Sequence, residues 1–462
     1  MTNFLNQLST IFSTFGAIVF IPLILFAIAK VLGVTTKKAF NSALLCAVGL
    51  AGFNLVINAY MTIVAPVVSS MAENAGVSFE VLDTGWQSTS VIAYSTTVGV
   101  LFIGVCLVLE LVLFVVKWTD VFMASDLWNN YSFMVWGSML YALTGNMALS
   151  MILMIVQLLY ILLFSEMMAK RWSGHYQYPQ CCMTAPHHME TVPFAIVANW
   201  LLSKLGLDKI KINATDLQKK FGILGEPMFI GLVIGFMIGI IGELPLLGTL
   251  AGWGTVAAVA VNTAAVMAIF PKVGGIFASA FTALTEASKK SAAKSGEGRD
   301  WYLSVNDAAG YGEPNTLVTG ILLIPIMLGL SFVLPGNTIL PMADLIALPY
   351  CVETFVAVSH GNIVKSIIMG AIWFSIGMIM ASALAPTFTE VAIGAGFQMP
   401  EAATQIVSFA IISRPVMIAM FYVAWKGGWI GIAGLVALYL VAYFLFKKNR
   451  YRLYDFLEKT SA

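Results

Sequence analysis

The chain has 462 residues, of which 59% are hydrophobic and only 10% charged, and its mean hydropathy is +0.89. This composition excludes an ordinary soluble domain and is typical of a polytopic helical membrane protein. The formal net charge of +1 excludes nucleic acid as an electrostatic partner, and five scattered cysteines offer neither a disulfide framework nor a zinc site.

Apolar segments follow one another along the chain. Those without internal charge are 9–29, 41–67, 86–109, 146–165, 227–242, 250–271, 315–334, 366–385 and 427–446. Two further candidates, 187–205 and 401–425, contain prolines, and with them the sequence predicts about eleven transmembrane helices. The first residues lack the basic region of a signal peptide, so 4–29 is predicted to be a retained first span.

The lysines between these segments set the predicted orientation. Clusters of lysine follow spans one, five and seven and close the chain. They fall on one side of the membrane if the N-terminus is outside, the C-terminus is cytoplasmic and two short segments do not cross. Those segments are 126–145 and 344–361; each opens with Asp-Leu and ends at a Gly that is followed by Asn. We interpret them as re-entrant hairpins, with Asp126 and Asp344 as helix N-caps.

The chain also resembles itself. FGAIVFIPLILFAIAKVLG from Phe15 lies over LGEPMFIGLVIGFMIGIIG from Leu224, and the two hairpins follow in the same order. Five spans separate the copies, which predicts two inverted repeats, as in many transporters. The first repeat is 1–205, with scaffold helices in 9–67 and a core in 83–205. The second is 206–425, with scaffold helices in 222–271, a cytoplasmic segment 272–300 and a core in 301–425. Residues 426–462 form a last helix and a cytoplasmic tail.

The second repeat contains a helix in two halves. A helix-compatible run, 302–309, precedes Gly310, Gly312 and Pro314, and the uncharged 315–334 follows. Glu313 lies in the break, where a carboxylate is costly unless it has a function. It either binds substrate or caps the second half-helix in the headgroup region. The corresponding break of the first repeat is predicted at 83–87.

Polar residues near these breaks are the site candidates. Gln87 and Glu313 suit a hydroxyl-rich substrate, and Trp86 offers an aromatic face, although an interfacial position suits Trp86 equally well. In Pro-His-His, His187 is predicted to face the cavity; adjacent histidines point to different faces of a helix, so no shared metal is expected. Glu226, in a second Gly-Glu-Pro, is interpreted as a helix N-terminal carboxylate. Glu353 and Arg414 are predicted to form a structural pair.

These segments carry a family resemblance. TGWQSTSVIAYSTTVG, DLWNNYSFMVWGSMLYALTGN, APHH, GEPMFIGLVIGFMIGIIG, GYGEPNTLVTGILLIP, LPGNTILPMADLIALP and HGNIVKS, in this order, resemble the galactitol family of phosphotransferase system (PTS) membrane components, enzyme IIC, over about residues 10–445. Family members typically carry Asp where this chain has Glu226 and Glu313. The longer acid keeps the charge but moves its oxygen by a methylene.

The resemblance implies a permease of the bacterial cell membrane that carries a sugar alcohol inward, while separate IIB and IIA proteins supply the phosphoryl group. The chain would then be the membrane subunit of a phosphotransferase, without a phosphoryl-carrying residue, cofactor or metal of its own. Likeness to ascorbate carriers implies a homodimer whose core moves in elevator fashion against a V-shaped scaffold. The core would hold Trp86, Gln87, His187, Glu313 and His360, with Glu226, Asn146 and Asn362 as secondary candidates.

Two expectations concern alternatives and partners. An ion-coupled secondary transporter, with Glu313 as the ion site, is the alternative function, because an intramembrane carboxylate also suits that class. Residues 204–221 and 271–301 are expected to form the cytoplasmic face that docks IIB. For 271–301, an amphipathic helix lying on lipid headgroups is the alternative.

Overall fold

The computed structural model of the protein describes residues 19, 22–23, 25–31, 33–74, 80–123, 127–210, 212–222, 226–294, 300–305, 307–341, 343–400 and 403–460. Most of the predicted first span lies outside these residues. The helices in chain order are α1 (Thr36–Asn74), α2 (Trp86–Ser95), α3 (Thr97–Val115), α4 (Tyr131–Thr144), α5 (Met147–Tyr176), α6 (Pro186–Met189), α7 (Val192–Lys204), α8 (Ala214–Phe221), α9 (Pro227–Gly242), α10 (Leu250–Lys294), α11 (Ala308–Tyr311), α12 (Pro314–Val333), α13 (Leu348–Cys351), α14 (Glu353–Val358), α15 (Ile363–Gly394), α16 (Phe409–Ile412) and α17 (Pro415–Lys459).

Within the described part of the chain, six helices are long and apolar enough to cross a membrane. They are α3, α5, the Leu250–Phe277 part of α10, α12, α15 and α17, and α9 contains a shorter apolar stretch, Met228–Gly242. The mostly helical fold agrees with the membrane-protein class predicted from composition. The count of about eleven spans stays a prediction.

Short parallel strands, which the sequence did not predict, join the two halves of the chain. In one sheet β1 (Val81–Asp83) is central, between β5 (Ile339–Leu340) and β6 (Gln405–Val407). In the other, β4 (Tyr302–Val305) is central, between β2 (Val121–Phe122) and β3 (Cys181–Met183). Each central strand pairs only with strands from the other half. The pairing satisfies backbone groups that helices leave open at these interruptions.

The break before α12 lies where the glycines and proline predicted it, but the chain before it differs from the expectation. The helix-compatible run 302–309 is instead β4 followed by the turn that leads into α11. All four residues of β4 are buried, because neighbouring strands cover both edges. A buried strand of this length has no apolar-polar alternation by which the sequence could have distinguished it from a helix.

The segment 86–109, predicted as one span, is two helices. The chain leaves helical geometry at Thr96, whose side chain accepts a hydrogen bond from the backbone N of Gly99 and so caps α3. A side chain at Gly99 would overlap the carbonyl of Ala93 and the hydroxyl of Ser138. The first-half helix is therefore interrupted at Thr96 as well as at the strand-to-helix junction 83–87.

The two short segments predicted as re-entrant hairpins contain only short helices, and their path in the membrane stays a prediction. The first contains a 3-10 turn, Leu127–Asn130, and α4; Asp126 lies outside the described residues. The second contains a 3-10 turn, Leu345–Ala347, then α13 and α14. Neither is among the candidate spans of the described chain. Each leads directly into a long helix, α5 or α15.

Helices α1, α9 and α10 pack against one another through glycines. A Cβ on Gly49 of α1 would lie 2.7 Å from the Cβ of Phe277, and one on Gly235 of α9 would lie 2.8 Å from the Cα of Ala260. These contacts let the helix backbones approach closely, as small residues do in membrane helix pairs. The Phe270 ring of α10 stacks on Tyr311 at 4.4 Å, which joins this bundle to the broken helix.

Candidate functional site

Glu313 is the N-cap of α12. Its Oε2 accepts hydrogen bonds from the backbone N of Thr316 at 2.8 Å and from the Thr316 hydroxyl at 2.9 Å, and Oε1 accepts one from Asn315 at 2.6 Å. His175 Nε2 lies 3.7 Å from Oε2, which is an ion-pair contact and too long for a hydrogen bond. The carboxylate therefore has the capping role, while its 19% exposed side chain leaves it within reach of a ligand.

Asp307, which sequence reasoning missed, meets both histidines of Pro-His-His. Its Oδ2 lies 3.2 Å from His187 Nε2 and 3.4 Å from His188 Nε2. The sheet explains the meeting: β3 and β4 run in parallel, with Met183 opposite Val305, so the segments that leave their carboxyl ends emerge side by side. The expectation that the two rings point to different faces was wrong. Helix α6 is a single turn, and the ring centroids lie 4.2 Å apart.

The charges in this cluster follow from its surroundings. Burial raises the pKa of Asp307, but hydrogen bonds from His187 and His188 outweigh burial and hold that pKa well below its usual range. Burial, and then the neighbouring His187, lower the pKa of His188 to about 3. We therefore assign an ionised Asp307 and a neutral His188 that donates through Nε2, because the carboxylate can only accept. The Nδ1 atoms of both rings are buried and without a hydrogen-bond partner.

The same three side chains are a possible metal site by distance. Their ligand atoms lie within 4.8 Å of one another. Histidines that bind a metal almost always donate their second ring N–H to an acceptor, which fixes the ring. Here neither Nδ1 has such a partner. The donor set thus fits hydrogen bonding to the carboxylate better than it fits a resident metal.

Glu353 lies between Asp307 and Glu313 and was misinterpreted as the partner of Arg414. Its carboxylate accepts a hydrogen bond from Trp172 Nε1 at 3.3 Å and lies so close to Gly310 that a Cβ there would overlap it. Burial, and then the charge of Asp307, raise the pKa of Glu353 well above its usual range. Its Oε1 is buried without a partner.

Arg414 has other neighbours than the predicted one. It donates hydrogen bonds to the carbonyl of Ala410 and to Cys351 Sγ. Among the described residues, no ion pair joins it to Glu353. The prediction of that pair was therefore wrong, and Glu353 is available to the site beside the break.

The break of the first half holds a second carboxylate cluster. Asp83 is the last residue of β1, and it accepts hydrogen bonds from the backbone N of Gly85, Phe409 and Asp344. Asp344 was predicted to be an N-cap, but its side chain makes no capping bond. It accepts instead from the Ser408 hydroxyl at 2.7 Å and from the backbone N of Ala410 at 2.8 Å, so it fastens α16 to the hairpin.

The remaining primary candidates are Trp86, Gln87 and His360. Trp86 is the first residue of α2 and is 47% exposed. Gln87 follows it, but its side chain lies outside the described residues. His360 has a left-handed backbone, with φ of 57°, and its Nε2 lies 3.0 Å from the carbonyl oxygen of Leu457. Their role in binding stays a prediction.

The secondary candidates are residues at helix starts. Asn146 and Asn362 cap α5 and α15 by accepting from the backbone N of Leu149 and Lys365, both at 3.0 Å. Glu226 is the N-cap of α9, yet its side chain makes no capping hydrogen bond. Phe229 stands three residues after Glu226, where Thr316 follows Glu313, and it offers no hydroxyl.

The structure thus defines a helical membrane protein in which interrupted helices surround buried carboxylates and imidazoles, as in many transporters. The profile of a protein family described as "PTS system sugar-specific permease component" matches residues 10–403. The chain belongs to this family, the galactitol-type IIC permeases of the phosphotransferase system, and the resemblance seen in the motifs is confirmed.

Two curated relatives from Escherichia coli strain K12 support this assignment. The chain is 27% identical to a "Putative permease IIC component" over 398 residues, which cover 86% of this chain and 89% of the relative. It is 26% identical to the "PTS system galactitol-specific EIIC component" over 384 residues, which cover 82% of this chain and 83% of the relative. The galactitol-specific component of strain O157:H7 is similar to the same extent.

Proposed function

We propose that this chain is the IIC permease that takes up a sugar alcohol, galactitol or a related polyol, and that the polyol binds at the Asp307–Glu313 site. We define this site as Asp307, Glu313, Glu353, His175, His187 and His188. The observation that carries the proposal is the set of buried polar atoms without partners, His187 Nδ1, His188 Nδ1 and Glu353 Oε1. A polyol satisfies such a set, because each hydroxyl both donates and accepts.

The chemistry assigns a role to each part of the site. The neutral His188 accepts a hydrogen bond from a hydroxyl at Nδ1 while its Nε2 stays bonded to Asp307. Leaving these buried groups unpaired costs about 1–3 kcal/mol each, so a ligand that lacks a matching hydroxyl binds less well. The phosphoryl group comes from the partner proteins IIB and IIA, as in the PTS. The chain itself contributes substrate binding and passage through the membrane.

Transport assays with and without phosphoenolpyruvate test this function. Membrane vesicles that contain the chain, its IIA and IIB partners and the general phosphotransfer proteins should accumulate phosphorylated polyol only when phosphoenolpyruvate is supplied. A protonophore should leave this uptake intact. Uptake that ignores phosphoenolpyruvate and collapses with the protonophore would instead establish the ion-coupled alternative.

We also propose that the two halves are inverted repeats. The sheets support this, because β1 and β4 occupy equivalent central positions and each is flanked by the second and third strands of the other half. Capped helix starts correspond as well: Thr96 and Glu313 precede α3 and α12, and Asn146 and Asn362 precede α5 and α15. On this correspondence the counterpart of the Glu313 break is Thr96, and the counterpart of Asp307 is Asp83.

The division into moving parts is a further element of the proposal. The mutual packing of α1, α9 and α10 supports a scaffold, with the strands, hairpins and broken helices as a core. We propose that the core moves in elevator fashion and that two copies associate through their scaffolds. The N-terminus would lie outside and the C-terminus in the cytoplasm, where residues 204–221 and 271–301 would meet IIB. Crosslinking of scaffold cysteine pairs in membranes, combined with labelling of tail cysteines from either side, tests these points.

A further inference from the structure

A cavity of about 680 Å³ lies between the beginning of α1 and the later part of α10, outside the Asp307–Glu313 site. Lys37, Lys38, Phe40 and Leu44 of α1 line one wall, and Thr282 and Glu286 of α10 line the other. The comparisons with relatives assign nothing to this place.

The cavity lies next to a close contact between the two helices. The helices run antiparallel, with Gly52 facing Val273 and Gly49 facing Phe277; a Cβ on Gly49 would lie only 2.7 Å from the Cβ of Phe277. The absence of side chains at these glycines permits the close approach. The cavity begins beyond this contact, toward Lys37 on α1 and Glu286 on α10.

The position of the cavity relative to the membrane follows from where the apolar part of α10 ends. The segment that could cross the membrane ends at Phe277, and the residues of α10 that line the cavity come after it. On α1, the exposed Phe40 and Leu44 lie beside the cavity and are 62% and 51% accessible. The lysines precede them by only a few residues. The cavity therefore lies at the boundary between hydrocarbon and headgroups, with apolar side chains next to cationic ones.

We propose that this cavity binds the phosphate group of an anionic phospholipid. Lys37 and Lys38 are exposed ammonium groups, and a phosphate between helices at the headgroup level is the ligand that such a pair attracts. Among the described residues of the lining, Glu286 is the one carboxylate, so Lys37, Lys38 and Glu286 together carry a charge of +1. The acyl chains lie along Phe40 and Leu44. The lysines complement the charged headgroup, and the two apolar side chains complement the acyl chains. A free phosphate would contact only the lysines.

Native mass spectrometry of the purified full chain tests the proposal. Phosphatidylglycerol and phosphatidylcholine are added in turn, and the retained lipid is counted. Wild-type protein should retain phosphatidylglycerol in preference to phosphatidylcholine. The double variant Lys37→Gln/Lys38→Gln should bind phosphatidylglycerol about 25-fold more weakly, at roughly 5-fold per lysine. Glu286→Gln should bind it several-fold more tightly, because it removes the opposing charge.

A matched control separates the cavity from general charge. Lys204→Gln/Lys209→Gln removes two exposed lysines elsewhere and should leave phosphatidylglycerol binding unchanged. Equal loss in both double variants would overturn the proposal, as would full displacement of the lipid by millimolar inorganic phosphate, which would indicate a site for free anions. If the variants at Lys37 and Lys38 altered the oligomeric state but not lipid binding, the cavity would be a subunit contact and the proposal would be wrong.

Discussion

Substituting Asp307 by Asn tests the centre of the proposed site, and Asp83→Asn is its matched control. Asp83 is the last residue of the central strand β1, and Asp307 lies two residues after the central strand β4. Asp83 is buried and the Asp307 side chain is 16% exposed, and both carboxyl groups have hydrogen-bond donors around them. They differ in their donors. Asp307 is bound by two imidazoles, whereas Asp83 is bound by three backbone N–H groups.

The magnitude follows from the contacts. In Asp307→Asn the remaining carbonyl oxygen can still accept from His187 and His188, so the bonds persist without the charge. A hydrogen bond to a charged group contributes about 1.5–3 kcal/mol and one between neutral groups about 0.5–1.5 kcal/mol. The free energy of unfolding should therefore fall by about 1 kcal/mol per bond, or about 2 kcal/mol for the pair. The distances of 3.2 and 3.4 Å are long, which makes this an upper value.

Substrate affinity should fall more selectively than stability. If polyol hydroxyls donate to the Asp307 carboxylate, or to imidazoles that it holds in place, loss of one charged bond weakens binding roughly 10- to 150-fold. Asp83→Asn should also lower stability, because its amide replaces one of the two oxygens that accept from backbone N–H groups. Its polyol affinity should stay within about twofold of wild type.

Purified variants in detergent provide the assay. Thermal unfolding measures stability, and isothermal titration with galactitol and related polyols measures affinity. A folded Asp307→Asn protein that binds polyol as tightly as wild type would refute the site. Equal loss of affinity in Asp83→Asn would mean that binding depends on the fold of both sheets and not on contact with Asp307.

Other substitutions test the two breaks. Glu313→Gln should lower the free energy of unfolding by about 1 kcal/mol, and with it the midpoint of thermal unfolding, because Glu313 caps α12 through Thr316. It should also weaken polyol binding roughly 10-fold or more. Glu226→Gln, in the same tripeptide without a capping bond, should change both by far less. Gly310→Ala should destabilise by about 1–3 kcal/mol through overlap with Glu353, whereas Gly329→Ala, which meets nothing within 4 Å, should be neutral or stabilising in the same measurement.

The sequence predicts features that depend on neighbouring residues better than features that depend on residues far away in the chain. The break at Gly310–Pro314 and the capping position of Glu313 follow from residues that act on their own backbone. The strands of two to four residues do not, because their pairing partners lie far away in the chain, as β1 does from β6. Asp307 was missed for this reason: within a run predicted to be helical, nothing indicated that a strand ends two residues before it.

The sequence indicates which side of the membrane the charged residues favour, but not which residues they contact. Lys447 and Arg450 lie in the segment predicted to form the last helix and the cytoplasmic tail. Their side chains are largely buried against Glu166 and Asp120, and Lys447 Nζ lies 2.6 Å from Glu166 Oε1. A positive charge near the end of an apolar helix indicates orientation only statistically. Which carboxylate it meets depends on tertiary packing that no spacing within one helix can encode.

The surroundings of Asp83 and Asp307 explain why only Asp307 is proposed to bind substrate. Asp83 ends the central strand of one sheet, and Asp307 lies two residues after the central strand of the other. Asp83 accepts hydrogen bonds from backbone N–H groups, and a ligand could replace these donors only by disrupting α16 and the turn at Gly85. Side chains occupy Asp307, and the Nδ1 atoms beyond them stay without partners. The carboxyl group of Asp83, which accepts its hydrogen bonds from the backbone, stabilises the junction between strand and helix. Asp307 is bound by imidazoles whose Nδ1 atoms can still form hydrogen bonds, so the network can extend to a polyol.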